Sequence, residues 1–154
     1  HHLACALLEQ GVQHCWVKVV LDASHLPAHE FWETMQGQGY IWPYDSQGNQ
    51  LDLDAFVNAL PQTVTSLQDD PYRSLAALVR RAGGFTKVWV PFTEFKWASW
   101  LRSQPSLPSL SGHEAPPPES ESVMQTALSL ASSRGAADLP GYKGPGTPDD
   151  PREA

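Results

Sequence analysis

Cysteine is scarce in this 154-residue chain. Cys5 and Cys15 are the only two, too few for a disulfide framework. Long apolar runs are missing as well: no stretch reaches the roughly 18 consecutive apolar residues that signal a membrane helix, so no membrane span is expected. Positive charge is in short supply, with 10 Lys and Arg against 17 Asp and Glu and a formal charge of −7. A broad nucleic-acid footprint needs clustered positive charge, which argues against an extended DNA-binding surface. A Gly-rich P-loop, a G-x-S-x-G elbow and an H-E-x-x-H zinc motif are absent too, and no internal repeat is visible.

Aromatic residues are plentiful: six Trp, four Tyr and five Phe supply the bulk for a core, and the length suits one ordinary domain. The positive charge is also unevenly spread. Residues 71–102 hold Arg73, Arg80, Arg81, Lys87, Lys96 and Arg102 against Glu94 alone, so a local anion site remains open. The chain starts HHLACALLEQ, without methionine and already in a helical pattern. It reads as a fragment, with earlier strands and any signal peptide expected upstream and the compartment left open.

Helices and strands are expected to alternate at short spacing, which points to an α/β domain, with α+β as the alternative. Residues 2–10 form a helix stopped by Gly11. HCWVKVVLDA (14–23), apolar on both faces, reads as a central strand. Residues 25–35 form a helix opened by Pro27. GYIWPYD (39–45) is a short strand that Pro43 confines to an edge or a bulge, and SQGN (46–49) is a turn. Residues 51–61 and 63–68 are short helical turns.

DDPYRSLAALVRRAGGFTK (69–87) holds the clearest helix. Asp70 is a good N-cap, Pro71 fits the first helical position, and Gly83 or Gly84 can take the left-handed conformation that ends the helix. Tyr72, Leu75, Ala76 and Val79 form the core stripe. Arg73 and Arg80 stand one above the other on its flank, roughly 10 Å apart along the axis. FTKVWVPF (85–92) is a strand. The helix after it runs to about Leu101, with Thr93 as N-cap and Phe92 and Trp97 placed for a hydrophobic staple. Residues 103–121 are rich in Pro and Ser and read as a linker. Residues 122–133 form a weakly amphipathic helix stopped by Gly135, followed by an LPGY segment to 142. Residues 143–154 read as a disordered tail.

Two constellations carry candidate chemistry. His1 and His2 open a helix, where unpaired N–H groups and the helix dipole favour an anion. Two imidazoles there can bind phosphate when protonated, hold a metal when neutral, or move protons; the bland alternative is an accident of a chain end. Arg73, Arg80 and Lys87 suit a phosphate clamp, because the guanidinium fork matches phosphate oxygens. Their bland alternative is a solvated helix flank with Arg73 bridging to Asp69 or Asp70. Glu94, early in its helix, is most simply a dipole partner. A zinc reading of His2, Cys5, His14 and Cys15 is weaker, since their spacing is not a standard ligand pattern.

HHLACAL, LDASHLPAHEFWETM, WPYDSQGN, LPQTVTSLQDDPYRSLAALVRRAGGFTK, PFTEFKWASWLR and the late LPGY together resemble the ParB-like nuclease family, a divergent branch of the ParB/sulfiredoxin superfamily. The resemblance spans nearly all of 1–102 and resumes around Ala127 to Tyr142. It implies a ParB/sulfiredoxin-like domain, incomplete at its N-terminus, with an aspartate and a further histidine just upstream of His1. It also implies that the strand-to-helix turn carries phosphate-binding or catalytic residues. His1 and His2 would then act in acid–base catalysis, Arg73, Arg80 and Lys87 would bind phosphate, and a divalent ion (Mg, Mn or Zn) would bridge to the upstream aspartate. The expected partner is a nucleotide or nucleic-acid phosphate, and the reaction phosphodiester or phosphoryl hydrolysis. Two other readings stand beside it: a non-catalytic nucleotide- or protein-binding module, and a sulfiredoxin-like redox enzyme using Cys5 or Cys15. No helix-turn-helix DNA-binding module accompanies the domain, which argues against chromosome segregation.

Overall fold

A computed structural model describes residues 2–145, apart from the side chains of His2 and Leu3. It is mostly helical, with helices α1 (His2–Glu9), α2 (Ala28–Gly37), α3 (Leu53–Ala59), α4 (Pro71–Arg81), α5 (Thr93–Arg102) and α6 (Glu121–Ala131). Short 3-10 turns lie at Val64–Ser66 and Arg134–Ala136. The chain divides into two compact units, His1–Asp69 and Asp70–Ala154.

The expected α/β arrangement does not emerge. Among the described residues β-pairing is limited to two isolated antiparallel bridges, Tyr44 with Gln50 and Phe85 with Tyr142. The strands expected at 14–23, 39–45 and 85–92 therefore shrink to single bridges or to none. The physical reason is that a strand exists only by pairing, since its backbone groups are satisfied by a neighbour and not by itself. HCWVKVVLDA has strand composition but no described neighbour. Its apolar side chains stand in solvent, with Trp16 103% and Val17 78% exposed.

In the first unit the local punctuation works as expected while the packing stays thin. Gly11, at φ +68°, ends α1. Pro27 precedes α2, and the Asp52 carboxylate caps α3 by accepting from the Ala55 N–H at 2.7 Å. Asp45 closes the SQGN turn by accepting from the Gln47 and Asn49 N–H groups at 2.9 and 2.8 Å and from the Asn49 amide at 2.9 Å. These hydrogen bonds, the Asn49 side chain first, hold its carboxyl below the usual aspartate range. Edge-on ring pairs link Phe31, Trp32 and Phe56. Among the described residues of this unit, however, Ala23 alone is buried.

The second unit holds the core. Tyr72, Leu75, Ala76 and Val79 of α4 meet Trp97, Ala98 and Leu101 of α5, and Val123, Ala127 and Ala131 of α6 complete the cluster. The α4 stripe is the one its periodicity predicts. The helix ends in a Schellman motif: Gly84 N–H donates to the Val79 carbonyl, Gly83 N–H donates to that of Arg80, and Gly83 takes φ +82°. Phe85 stacks on Trp97 with ring centroids 4.2 Å apart. The LPGY segment closes this layer. Trp97 Nε1 donates to the Pro140 carbonyl at 2.8 Å, and Thr86 N–H donates to that of Gly141 at 2.8 Å. Gly141 is required there, because at φ +79° a Cβ would lie 2.1 Å from the Thr86 oxygen.

Two local expectations change. Thr93 is not the N-cap of α5. Phe92 holds that position, in the left-handed conformation at φ +58°, while the Thr93 hydroxyl donates back to the Val90 carbonyl at 2.7 Å. Phe92 meets Phe95 edge-on at 5.8 Å, which takes the place of the expected staple with Trp97. The Pro/Ser-rich stretch 103–121 also contributes more than its composition suggests. Leu107 and Leu110 are buried in the core, and Leu110 N–H donates to the Tyr72 hydroxyl at 3.2 Å. Within the expected tail, residues 146–154 lie outside the described residues.

Candidate functional site

The basic flank of α4 is built by its cap. The Asp70 carboxylate accepts from the N–H groups of Tyr72 and Arg73 at 2.9 and 3.3 Å, and from the Arg102 guanidinium at 2.7 Å. Arg102 also lies over the Tyr72 ring, 4.7 Å from its centroid. The bridge to Asp70 thus comes from Arg102 on α5 and not from Arg73, and the bland reading of Arg73 loses its partner.

Arg73 instead points along the α4 flank, half-buried, with its guanidinium 5.1 Å from the centroid of the Phe95 ring. Its Nε is buried without a hydrogen-bond partner. Burial pulls this guanidinium below its ordinary range; the charge of Glu94 opposes that, Arg80 adds to it, and Asp70 opposes it again. An arginine remains charged even so, and a desolvated cation with an unmet donor is costly to keep. The arrangement favours an anion.

Arg80 stands about two helical turns further along the same flank. Its Nε lies 3.0 Å from Glu94 Oε1, close enough for an ion pair though not aligned as a hydrogen bond. Glu94 is therefore more than a dipole partner: it is the counter-charge shared by two arginines. Lys87 stands apart from this cluster in what it touches. It is exposed, and its ammonium lies 5.7 Å from the centroid of the Trp89 ring.

Of the five residues expected at the site, the structure brings Arg73 and Arg80 together and places Lys87 on the loop that follows their helix. His1 lies outside the described residues, as does the side chain of His2. Cys5 is half-buried in α1, Cys15 is exposed, and both are free thiols. Among the described residues no group of three His, Cys, Asp or Glu side chains could hold a metal ion. No helix among them is long and apolar enough to cross a membrane.

Sequence reasoning missed Phe95, Trp89 and the turn at Phe92. The signal for Phe95 was present in PFTEFKWA, where it follows Glu94 on the first turn of α5. Nothing in a one-dimensional pattern marks Phe92 as a left-handed residue.

Comparison with known proteins shows the family of the chain. The sequence matches the family described as "Putative ParB-like nuclease" over residues 1–103. No curated protein matches it. Among solved structures it is similar to the crystal structure of protein Atu1540 from Agrobacterium tumefaciens, at 37% sequence identity and a TM-score of 0.79, covering 93% of this chain and 69% of that one. With two thirds of its length matched, including α1 to α5, the chain belongs to the ParB-like nuclease family.

Proposed function

We propose that the domain binds the phosphate of a nucleotide or nucleic acid on the α4 flank, and that the protein hydrolyses a phosphodiester or phosphoryl bond. The observation that carries the reading is the half-buried Arg73 guanidinium, its Nε unpartnered and Arg80 beside it. A phosphate at the terminal guanidinium nitrogens offsets the repulsion between the two cations, and the guanidinium fork can take two oxygens at once. Glu94 offsets one of the two positive charges and leaves a net positive charge for an anion. Lys87, exposed on the neighbouring loop, adds charge at the rim.

His1 and His2 are the acid–base pair of this reading. One of these imidazoles serves as general base or general acid in the cleavage. Arg73 stabilises the charge that develops on the phosphoryl oxygens, a contribution commonly about 3–4 kcal/mol per well-placed donor. The divalent ion that the family resemblance suggests finds no three-ligand set among the described residues, so no step is routed through it. The test is a cleavage assay on single-stranded substrate, with and without Mg²⁺, Mn²⁺ or Zn²⁺. Wild type is expected to cleave, Arg73→Ala to lose about a hundredfold or more in rate, and His2→Ala to fall comparably. Equal cleavage by all three proteins removes the site.

A second reading rests on the same arginines: a non-catalytic module that senses a nucleotide. Thermal stabilisation by nucleotide without turnover supports it.

A further inference from the structure

The loop between α4 and α5 displays an aromatic ring that the core does not use. Trp89 is 98% exposed, although a tryptophan normally buries most of its surface. Both ends of the loop are pinned. Thr86 N–H is held by the Gly141 carbonyl, and at the far end the Thr93 hydroxyl donates to the Val90 carbonyl. Between Val90 and Thr93 the chain turns through Phe92 in the left-handed region, at φ +58°. That conformation is strained for a bulky side chain and persists only where the surroundings enforce it. The Lys87 ammonium lies 5.7 Å from the Trp89 ring centroid, a cation–π distance. An indole has two faces, and one lysine engages a single face.

An open indole face beside a lysine, within a stretch carrying six basic residues against one acidic, matches the physics of single-strand binding. Bases stack on aromatic side chains regardless of sequence while cations follow the phosphates. We propose that Trp89 is the stacking platform for an unpaired nucleobase, with Lys87 at the adjoining phosphate. The ligand of the Arg73 site is then a single-stranded nucleotide chain and not bare phosphate or duplex. The inference rests on the phosphate reading of Arg73 and adds to it the recognition of the base. In a duplex the faces of the bases are already stacked, so Trp89 has nothing to receive.

The test compares wild type, Trp89→Ala, Trp89→Phe and Arg73→Gln. Fluorescence anisotropy follows a labelled oligothymidylate and a duplex of equal length, and calorimetry follows inorganic pyrophosphate. Trp89→Ala is expected to weaken oligothymidylate binding about fivefold to a hundredfold, while Trp89→Phe recovers most of it. Neither changes pyrophosphate affinity, and wild type prefers the single strand to the duplex. Arg73→Gln is expected to weaken both oligothymidylate and pyrophosphate. Unchanged oligothymidylate binding by Trp89→Ala, with pyrophosphate still bound, overturns the stacking role and leaves the phosphate site standing. Pyrophosphate binding that is undetectable, or indifferent to Arg73→Gln, overturns the phosphate reading and this inference with it.

Discussion

Asp70 shows how much one side chain can organise. Its carboxylate satisfies two orphan N–H groups of α4 and pairs with Arg102 from α5, which frees Arg73 for another role. Asp70→Ala is expected to lower stability by about 1–2 kcal/mol through the lost cap, read as a reduced urea midpoint at unchanged m-value. Gly141 is the stricter position. Any side chain there meets the Thr86 carbonyl and must hold a positive φ, so Gly141→Ala is expected to cost more than the Asp70 substitution in the same titration. A smaller loss would mean that the LPGY segment does not dock on Thr86. Both features were only half-legible in the sequence. Asp70 as a cap follows from DDPY, because capping is local chemistry. Its partner Arg102 lies 32 residues away, and no local rule could supply it.

Among the elements, helices were readable and strands were not, for one reason. α4 carries its own signals: cap, proline, core stripe and terminal glycines. It forms much as those signals predict. HCWVKVVLDA carries strand composition, but pairing is a non-local event, and the described residues give it no neighbour. The exchange of backbone amides separates the two cases. Amides of Leu75 to Val79 are expected to be the slowest to exchange, while those of Trp16 to Leu21 exchange near the rate of an unstructured peptide. Slow exchange in the latter segment would show that it is paired. The Asp45 turn gives a pH test at the same scale. Its folded-state carboxyl is held low by the Asn49 hydrogen bonds. That contribution is present above about pH 4, the ordinary aspartate range, and is lost as pH falls through the lower folded value. Local amide shifts at Gln47 and Asn49 are expected to titrate below pH 4, and a midpoint above that value would contradict the hydrogen-bonded turn.

At the scale of the whole molecule, the two units are unequal. One gathers nearly all of the buried residues, while the other, among its described residues, buries Ala23 alone. The candidate phosphate site belongs to the well-packed unit, on helices whose cap, core stripe and ion pairs fix its geometry. Net charge is a poor guide to such a site: −7 for the chain conceals a basic stretch between residues 71 and 102. A small cluster neutralises few phosphates, so single-strand binding is expected to weaken with salt at a log–log slope of about −1 to −2. A much steeper slope would point to a larger basic surface than this one. The direct measurement of the central claim is calorimetric titration of a mononucleotide into wild type and into Arg73→Lys, with matching helical circular dichroism confirmed for both. Wild type is expected to bind, with the lysine variant weakened about tenfold or more because a point charge cannot replace the planar fork. Equal affinity of the two proteins would contradict the claim that Arg73 receives the phosphate.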